Sequence, residues 1–200
     1  MPAENHALLD GQAEFLNQRI NQFESIFLEI GSGSGIHLVC RAGKDPSSLY
    51  IGFELRFKRT FKAAEKAEQN KLKNLLIIRA NASLITEVFS QNSIDGIYIN
   101  FPDPWAKKKR WNKNRLINTT FISSIHPILK PNGFISYKTD HKEYFDSTLK
   151  LFEDSELFQV SKVTNNLHLS TYGDENIFTE FEMLFKSKGL AISFLEARKL

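Results

Sequence analysis

The sequence has few of the residues that mark disulfide scaffolds, membrane proteins or exported precursors. Its one cysteine, Cys40, excludes an intramolecular disulfide and is typical of a reducing compartment. No apolar run approaches the roughly 20 residues that a membrane-spanning helix needs. The first residues also lack the basic-then-apolar pattern of a secretory signal. We therefore predict a cytoplasmic protein without a membrane partner.

Net charge is also small. The 200 residues carry +3 at pH 7, so the chain as a whole is not a polycation. Its positive charge is concentrated in one stretch, which favours a folded enzyme with a nucleic-acid-binding edge over a disordered basic arm. A hydrophobic content of 42% is sufficient for one compact domain with a core. We predict a short N-terminal extension over residues 1–23 and a single domain over residues 24–200.

Strand and helix patterns alternate along the chain. Short apolar runs predict buried strands at residues 26–30, 49–53, 75–78, 94–99 and 134–137. Helical spacing of apolar residues predicts helices at about residues 57–72, 116–129 and 142–152. Buried strands alternating with amphipathic helices are typical of an α/β fold whose parallel sheet is covered on both faces.

The C-terminal quarter shows a different pattern. Residues 158–163 and 181–185 alternate in hydrophobicity like strands, and a polar, turn-rich segment joins them. This alternation predicts an antiparallel hairpin at the edge of the same sheet.

A glycine-rich segment closes the first predicted strand and opens a helix. Gly31, Gly33 and Gly35 follow Glu29 in the pattern Glu-x-Gly-x-Gly-x-Gly. Glu54 ends the second strand about 20 residues later, where a carboxylate typically pairs a nucleotide ribose. The third glycine of a dinucleotide fingerprint would fall where isoleucine stands here. A carboxylate before the first glycine suits a cationic amino-acid moiety better than a pyrophosphate, which favours S-adenosylmethionine (SAM) over NAD.

A proline-rich turn follows the fourth predicted strand. Pro102 and Pro104 bracket Asp103. Because proline restricts the residue before it, we expect Phe101 and Asp103 to lie in a stiff, extended turn. Six cations follow without an acid among them: Lys107, Lys108, Lys109, Arg110, Lys113 and Arg115. A rigid carboxylate beside this cluster and two tryptophans indicates a polyanion that carries aromatic bases, and the alternative is a solvated basic face.

Two further positions have structural as well as functional interpretations. His37 and Cys40 stand one helical turn apart, but no second ligand pair has zinc spacing, so we expect core packing and no metal. Asn81 follows the third predicted strand. Its amide could bind an adenine edge or cap the segment that starts at Ala82.

Two motifs together resemble those of a known family. Phe-Pro-Asp-Pro-Trp at 101–105, with the basic run after it and Glu-Ile-Gly-Ser-Gly at 29–33 before it, resembles the bacterial tRNA (guanine-N7)-methyltransferases. The resemblance implies a Rossmann-like class I methyltransferase fold: a mostly parallel seven-stranded sheet with helices on both faces and an antiparallel C-terminal edge. It also implies methyl transfer from SAM to N7 of a tRNA guanine, in the variable loop at position 46.

The same resemblance gives several residues expected roles. The SAM site would comprise Glu29, Gly31, Gly33, Gly35, Glu54, Asn81 and Asp103, and Asp103 would also be the catalytic carboxylate. The tRNA substrate would meet Lys107, Asp140, Thr179, Glu180, Phe181 and Glu182. The tRNA backbone would meet Lys108, Lys109, Arg110, Lys113 and Arg115. From the residues alone, Asp140 is the N-cap of a helix beginning at Lys142, and residues 179–182 are an ordinary alternating strand.

The implied chemistry needs no general base. Guanine N7 carries a lone pair and no proton at neutral pH, so catalysis can consist mostly of positioning and electrostatic control. Asp103 could orient the guanine or hold the SAM ammonium group. Three alternatives remain: methylation of an exocyclic base amine, a catalytically silent RNA-binding module on the same fold, and an NAD-dependent oxidoreductase. Both a monomer and a homodimer are compatible with the sequence.

Overall fold

One sheet of seven strands organises the chain. The computed structural model describes residues 10–107 and 109–200. The strands are β1 (Ile26–Ile30), β2 (Leu49–Phe53), β3 (Leu75–Ile78), β4 (Ile94–Asn100), β5 (Leu129–Thr139), β6 (Phe158–Thr164) and β7 (Ser193–Lys199). Their order across the sheet is β3-β2-β1-β4-β5-β7-β6.

Helices connect the strands. The α-helices are α1 (Asp10–Ile20), α2 (Ile36–Lys44), α3 (Phe57–Gln69), α4 (Ile85–Val88), α5 (Thr119–Ile125), α6 (Lys142–Glu153) and α7 (Glu180–Ser187). Short 3-10 helices lie at Ala82–Leu84, Lys109–Asn114, Leu167–Leu169 and Thr171–Gly173.

The strand pairing confirms the predicted α/β class. Strands β1 to β5 pair in parallel, and β7 pairs antiparallel with both β5 and β6. Both faces of the parallel part are covered, so Leu28 and Ile51 pack in one core cluster while Tyr50 and Leu38 pack in another. Double coverage explains why these strands are almost continuously apolar.

The strand order also determines where a site can form. Strand β1 lies between β2 and β4, so the strand order reverses at β1. Strands β2 and β3 lie on one side of it, and β4 and β5 lie on the other. The segments after β1, β2 and β4 therefore meet at one edge of the sheet, which is where open α/β sheets bind ligands.

The predicted C-terminal hairpin is wrong in its second strand. Strand β6 forms, but its partner is β7, and residues 180–187 form helix α7. The Thr179 hydroxyl accepts the Glu182 N–H, and the Glu182 carboxylate accepts the Thr179 N–H, which is a capping box. This reciprocal cap favours a helix, and Phe181 and Phe185 are also four residues apart, as on one helix face.

Two helices are shorter than predicted, and a third has a different N-cap. Helix α5 is shorter than predicted, because Asn118 caps its start by accepting the Phe121 N–H at 3.0 Å. Helix α6 agrees with its prediction, but its N-cap is His141 rather than Asp140, since the His141 Nδ1 accepts the Tyr144 N–H at 3.2 Å. The predicted helix beginning at Phe57 ends earlier, at Gln69.

Helix α1 falls in the region that we predict as an N-terminal extension. Leu16 on this helix is only 4% exposed and belongs to the main core cluster. The division at residues 23 and 24 stays a prediction. Within the described residues, no helix has the length and apolar character needed to cross a bilayer.

Candidate active site

A cavity of about 530 Å³ opens at the carboxyl ends of β1, β2 and β4, within the roughly 300–1,000 Å³ typical of small-molecule sites. A narrow crevice continues it beneath the loop of residues 31–35, which we call the glycine loop. The predicted site residues that line the cavity or the crevice are Glu29, Gly31, Gly33, Gly35, Glu54, Asp103, Thr179, Glu180 and Phe181. Sequence reasoning did not identify Asn100 and Arg59, which line both.

The glycine loop needs its glycines for two different reasons. Gly31 has a φ of +74°, and a Cβ there would meet no atom within 4 Å, so the loop leaves open space beside it. Gly35 has a φ of +79°, and a Cβ there would lie 2.7 Å from the Ala63 Cβ. Glycine therefore permits both the left-handed backbone and the close approach of α2 to α3.

Glu54 orients the glycine loop. One of its carboxylate oxygens accepts the Gly33 N–H at 3.0 Å, and the other accepts the Arg56 N–H at 2.8 Å. The side chain is buried at the cavity wall. Each oxygen retains a lone pair, so the carboxylate can accept further hydrogen bonds from hydroxyl groups in the cavity.

Three buried polar atoms near the crevice have no hydrogen-bond partner among the described residues. They are the Glu29 Oε2, the Asn100 Oδ1 and the Ser32 Oγ. Glu29 is held by its other oxygen, which accepts the Asn100 Nδ2–H at 2.7 Å. Since the two unpaired atoms of Glu29 and Asn100 are both acceptors, they fit a cationic donor group.

His37 positions Glu29. The Arg41 Nε–H donates to the His37 Nε2 at 2.9 Å, so the ring proton is on Nδ1. Nδ1 lies 3.3 Å from the Glu29 Oε2 without the alignment of a hydrogen bond, so this oxygen keeps its lone pairs for a ligand. Burial lowers the pKa of His37 below its ordinary 6.5 despite the opposing effect of Glu29, so the ring is neutral at pH 7. The expected core packing is confirmed for His37, which is 2% exposed, and wrong for Cys40, which is exposed. No group of three potential metal ligands occurs among the described residues.

The turn that carries Asp103 departs from the predicted extended conformation at Phe101. Phe101 has a φ of +52°, and Trp105 has a φ of +50°. The Phe101 N–H donates to the Lys138 carbonyl at 2.9 Å, and its ring lies 5.5 Å from that of Phe185. These contacts hold Phe101 in the left-handed region, which non-glycine residues rarely adopt.

Asp103 is exposed at the cavity wall. Its Oδ1 accepts the Trp105 N–H at 2.9 Å, which fixes the carboxylate relative to the turn. The Oδ2 makes no hydrogen bond within the described residues, so it is available to a ligand in the cavity.

Helix α7 closes one side of the crevice. The Ser34 hydroxyl of the glycine loop donates to the Glu180 carboxylate at 2.8 Å. The Arg59 guanidinium lies 5.3 Å from the centre of the Phe181 ring. The N-terminal turn of α7 is therefore joined to both the glycine loop and α3.

Glu182, which we expect to meet the tRNA substrate, does not line the cavity or the crevice. It is fully buried, and its carboxylate accepts the Lys138 Nζ–H at 2.9 Å and lies 2.8 Å from the His168 Nε2. Although burial opposes ionisation, Lys138 and His168 keep the pKa of Glu182 below its ordinary value. Glu182 therefore joins α7 to Lys138 of strand β5 and fixes the helix against the sheet.

Two other predicted residues lie outside the cavity lining. Asn81 is exposed and caps the 3-10 helix that follows it, since its Oδ1 accepts the Ser83 N–H at 3.0 Å. This confirms the capping interpretation. Asp140 is exposed just after β5.

The basic run divides into two groups. Lys107, Arg110 and Lys113 are exposed, whereas Lys108 and the side chain of Lys109 lie outside the described part of the chain. Arg115 is only 7% exposed: its Nε–H donates to the Pro104 carbonyl at 3.0 Å, and its guanidinium lies over the Tyr144 ring. This burial does not agree with the prediction that Arg115 contacts phosphate. Its guanidinium instead stabilises the turn at Pro104.

Comparison with known proteins agrees with this geometry. A family model described as "Putative methyltransferase" matches residues 23–195. A tRNA (guanine-N(7)-)-methyltransferase of Clostridium botulinum (strain Okra / Type B1) is 37% identical over 92% of this chain and 86% of that protein. The corresponding protein of Clostridium novyi (strain NT) is 38% identical over 86% of this chain and 80% of that protein.

One relative is much longer. A bifunctional glycosyltransferase/methyltransferase of Fusobacterium nucleatum subsp. nucleatum is 36% identical over 88% of this chain, and the match spans 27% of that protein. Among solved structures, the 16S rRNA methyltransferase KamB superposes with a TM-score of 0.68 at 14% identity, over 96% of this chain and 94% of that one. An antibiotic-related methyltransferase superposes with a TM-score of 0.64 at 18% identity, over 96% of both chains. The structural likenesses establish the methyltransferase fold, and from the sequence matches the chain belongs to the tRNA (guanine-N7)-methyltransferase family.

Proposed function

We propose that this protein transfers the methyl group of SAM to N7 of a guanine in tRNA, in the variable loop at position 46. The observation that carries the proposal is the arrangement of three carboxylates at one cavity. Glu29 and Glu54 lie buried beside the glycine loop, whereas Asp103 is exposed at the cavity wall. This separation gives a cofactor end and a substrate end to one site.

The buried residues fit the cofactor. The unpaired acceptor atoms of Glu29 and Asn100 would hold its amino group, and the lone pairs of Glu54 would accept its ribose hydroxyls. The open space beside Gly31 leaves room for it. When bound, SAM supplies an electrophilic methyl group on a positively charged sulfur.

Asp103 would orient the guanine. Its exposed carboxylate can accept hydrogen bonds from the N1–H and the exocyclic amino group of the base, which fixes the direction in which N7 points. We favour this role over a contact with the SAM amino group, because Glu29 and Asn100 already provide unpaired acceptors for that group. N7 has no proton to lose, so Asp103 need not act as a base.

The exposed cations would bind the tRNA backbone. N7 lies in the deep major groove of an RNA helix, so the guanine must be presented unpaired. Lys107, Arg110 and Lys113 are exposed in the segment that continues from the Asp103 turn. Their charges would neutralise phosphates that flank the target nucleotide.

The test is methyl transfer from labelled SAM to an unmodified tRNA transcript, with a matched transcript in which adenine replaces the variable-loop guanine. We expect label in the first transcript and none in the second. Label in both transcripts would place the methyl group elsewhere. SAM and tRNA binding without transfer would indicate a catalytically silent RNA-binding module.

A further inference from the structure

Helix α3 presents an exposed aromatic surface beside the cavity. Leu55, Phe57 and Phe61 are 59%, 63% and 59% exposed. The two phenylalanine rings lie 6.4 Å apart between centroids. We call residues 55–62 together with Arg79 the α3 face. Large apolar side chains that remain together in solvent typically mark a binding surface.

The cations of the α3 face have no acidic partners in the part of the chain that the structure describes, although several lie at the start of a helix. Arg56, Lys58, Arg59, Lys62 and Arg79 form no ion pair with any described residue. The first turn of α3 carries no acid. Positive charge at a helix N-terminus opposes the macrodipole and lowers helix stability. Stability of α3 therefore does not explain these cations, whereas attraction to a polyanion does.

The α3 face is continuous with the cavity. Arg56 and Arg59 line the cavity wall together with Trp105 and Asp103. The Arg79 guanidinium lies 5.7 Å from the centre of the Phe57 ring. Cations and exposed aromatic rings thus lie together on the surface next to the cavity.

We propose that the α3 face is a second contact surface for the tRNA substrate, in which an unpaired base stacks on Phe57 or Phe61 while the cations meet its phosphates. This inference rests on the proposed function. Aromatic platforms flanked by cations are the common means of binding single-stranded RNA, because every base has a face that can stack. In this arrangement the rings stack on any base and the cations meet phosphates, so the surface contributes affinity and orientation.

The test compares two double variants with matched controls. Phe57→Ala/Phe61→Ala removes the rings, and Lys58→Gln/Lys62→Gln removes two charges. Leu169→Ala controls for loss of an exposed apolar side chain, since Leu169 is 85% exposed outside this face. Lys44→Gln/Lys73→Gln controls for loss of two exposed charges outside this face. The affinity for an unmodified tRNA transcript is measured over a range of salt concentrations, with SAM affinity and sedimentation measured in parallel.

We expect Phe57→Ala/Phe61→Ala to weaken tRNA binding by about tenfold or more, with SAM affinity and the salt slope unchanged, because stacking involves no counterion. Phe57→Trp/Phe61→Trp should retain the parent affinity. Lys58→Gln/Lys62→Gln should reduce the slope of log K against log salt by about 1.4–1.8. Both controls should bind like the parent.

Two outcomes would overturn the inference. One is tRNA binding by Phe57→Ala/Phe61→Ala within about twofold of the parent, against the loss of about tenfold or more expected when stacking is removed. The other is a dimeric parent and a monomeric Phe57→Ala/Phe61→Ala variant that bind tRNA equally well. That result would make the α3 face an interface between copies of this chain. If the parent methylates tRNA and either outcome occurs, only this inference fails. If the parent makes no N7-methylguanosine, the proposed function fails.

Discussion

Glu54 has two roles at the cavity wall, one structural and one proposed. Its carboxylate accepts two backbone N–H groups, from Gly33 and Arg56, and we propose that it also accepts the cofactor's ribose hydroxyls. Glu54→Gln replaces one carboxylate oxygen with an NH2 group, which cannot accept the backbone N–H of Gly33 or Arg56 that points at that position. We expect a loss of about 1–3 kcal/mol in SAM binding, measured by calorimetry, with tRNA affinity unchanged.

The control for Glu54→Gln is Glu87→Gln, which removes one exposed carboxylate from α4. It should bind SAM as the parent does. Unchanged SAM affinity in Glu54→Gln would remove the carboxylate from the cofactor site and leave it only the role of orienting the loop.

His37 predicts a pH dependence of stability. Its folded pKa lies below the ordinary 6.5, chiefly because of burial. As the pH falls below 6.5, the unfolded chain binds a proton at this residue that the folded chain does not bind, so the folded state loses stability. His37→Gln should therefore lose less unfolding free energy than the parent between about pH 7 and pH 5.

Urea unfolding of parent and His37→Gln at each pH measures that difference. His126 is unchanged in both proteins and its pKa is also lowered by burial, so its contribution cancels in the comparison. Parallel pH profiles of parent and variant would contradict the assignment of a neutral His37.

At the scale of elements, a buried ion pair fixes α7 against the sheet. Lys138 is 2% exposed and Glu182 is fully buried, with 2.9 Å between Nζ and carboxylate. Glu182→Gln leaves the ammonium group of Lys138 buried without its counter-charge. Loss of one partner of such a pair costs about 3–5 kcal/mol of unfolding free energy, which urea unfolding measures.

The double variant Lys138→Met/Glu182→Leu separates charge from packing. It removes both buried charges together, so it should recover the part of the loss that comes from the unpaired ammonium group. It should not recover the part that comes from the Thr179 N–H and His168, which lose the Glu182 carboxylate in this variant. If Glu182→Gln is as stable as the parent, the pair does not hold α7 in place.

Element prediction from the sequence succeeded where a strand consists of one short apolar run. Strands β1, β2 and β3 agree with their predictions at both ends, because continuous apolar runs bounded by turns admit few alternatives. The segment 180–187 failed because its apolar residues fit a strand and a helix equally. The signal that distinguishes them was present: Thr179 and Glu182 form the Thr-x-x-Glu pattern of a capping box.

At the scale of the whole molecule, the site was predictable only in part. Glu29, Glu54 and Asp103 each follow or end a predicted parallel strand, and parallel strands bring their carboxyl ends to one edge. The pairing of Glu182 with Lys138 joins two elements far apart in sequence, and no local pattern predicts it. The burial of Arg115 likewise depends on Tyr144 and the Pro104 carbonyl, which only the folded chain brings together.

We propose that one cavity brings the SAM methyl group to guanine N7, with Asp103 orienting the base. The most direct measurement is nucleoside analysis of tRNA after a single turnover by the parent and by Asp103→Ala, with SAM affinity measured for both. We expect N7-methylguanosine from the parent, almost none from Asp103→Ala, and similar SAM affinity and thermal melting for the two proteins. A methylated exocyclic amine, or full N7 methylation by Asp103→Ala, would contradict the account.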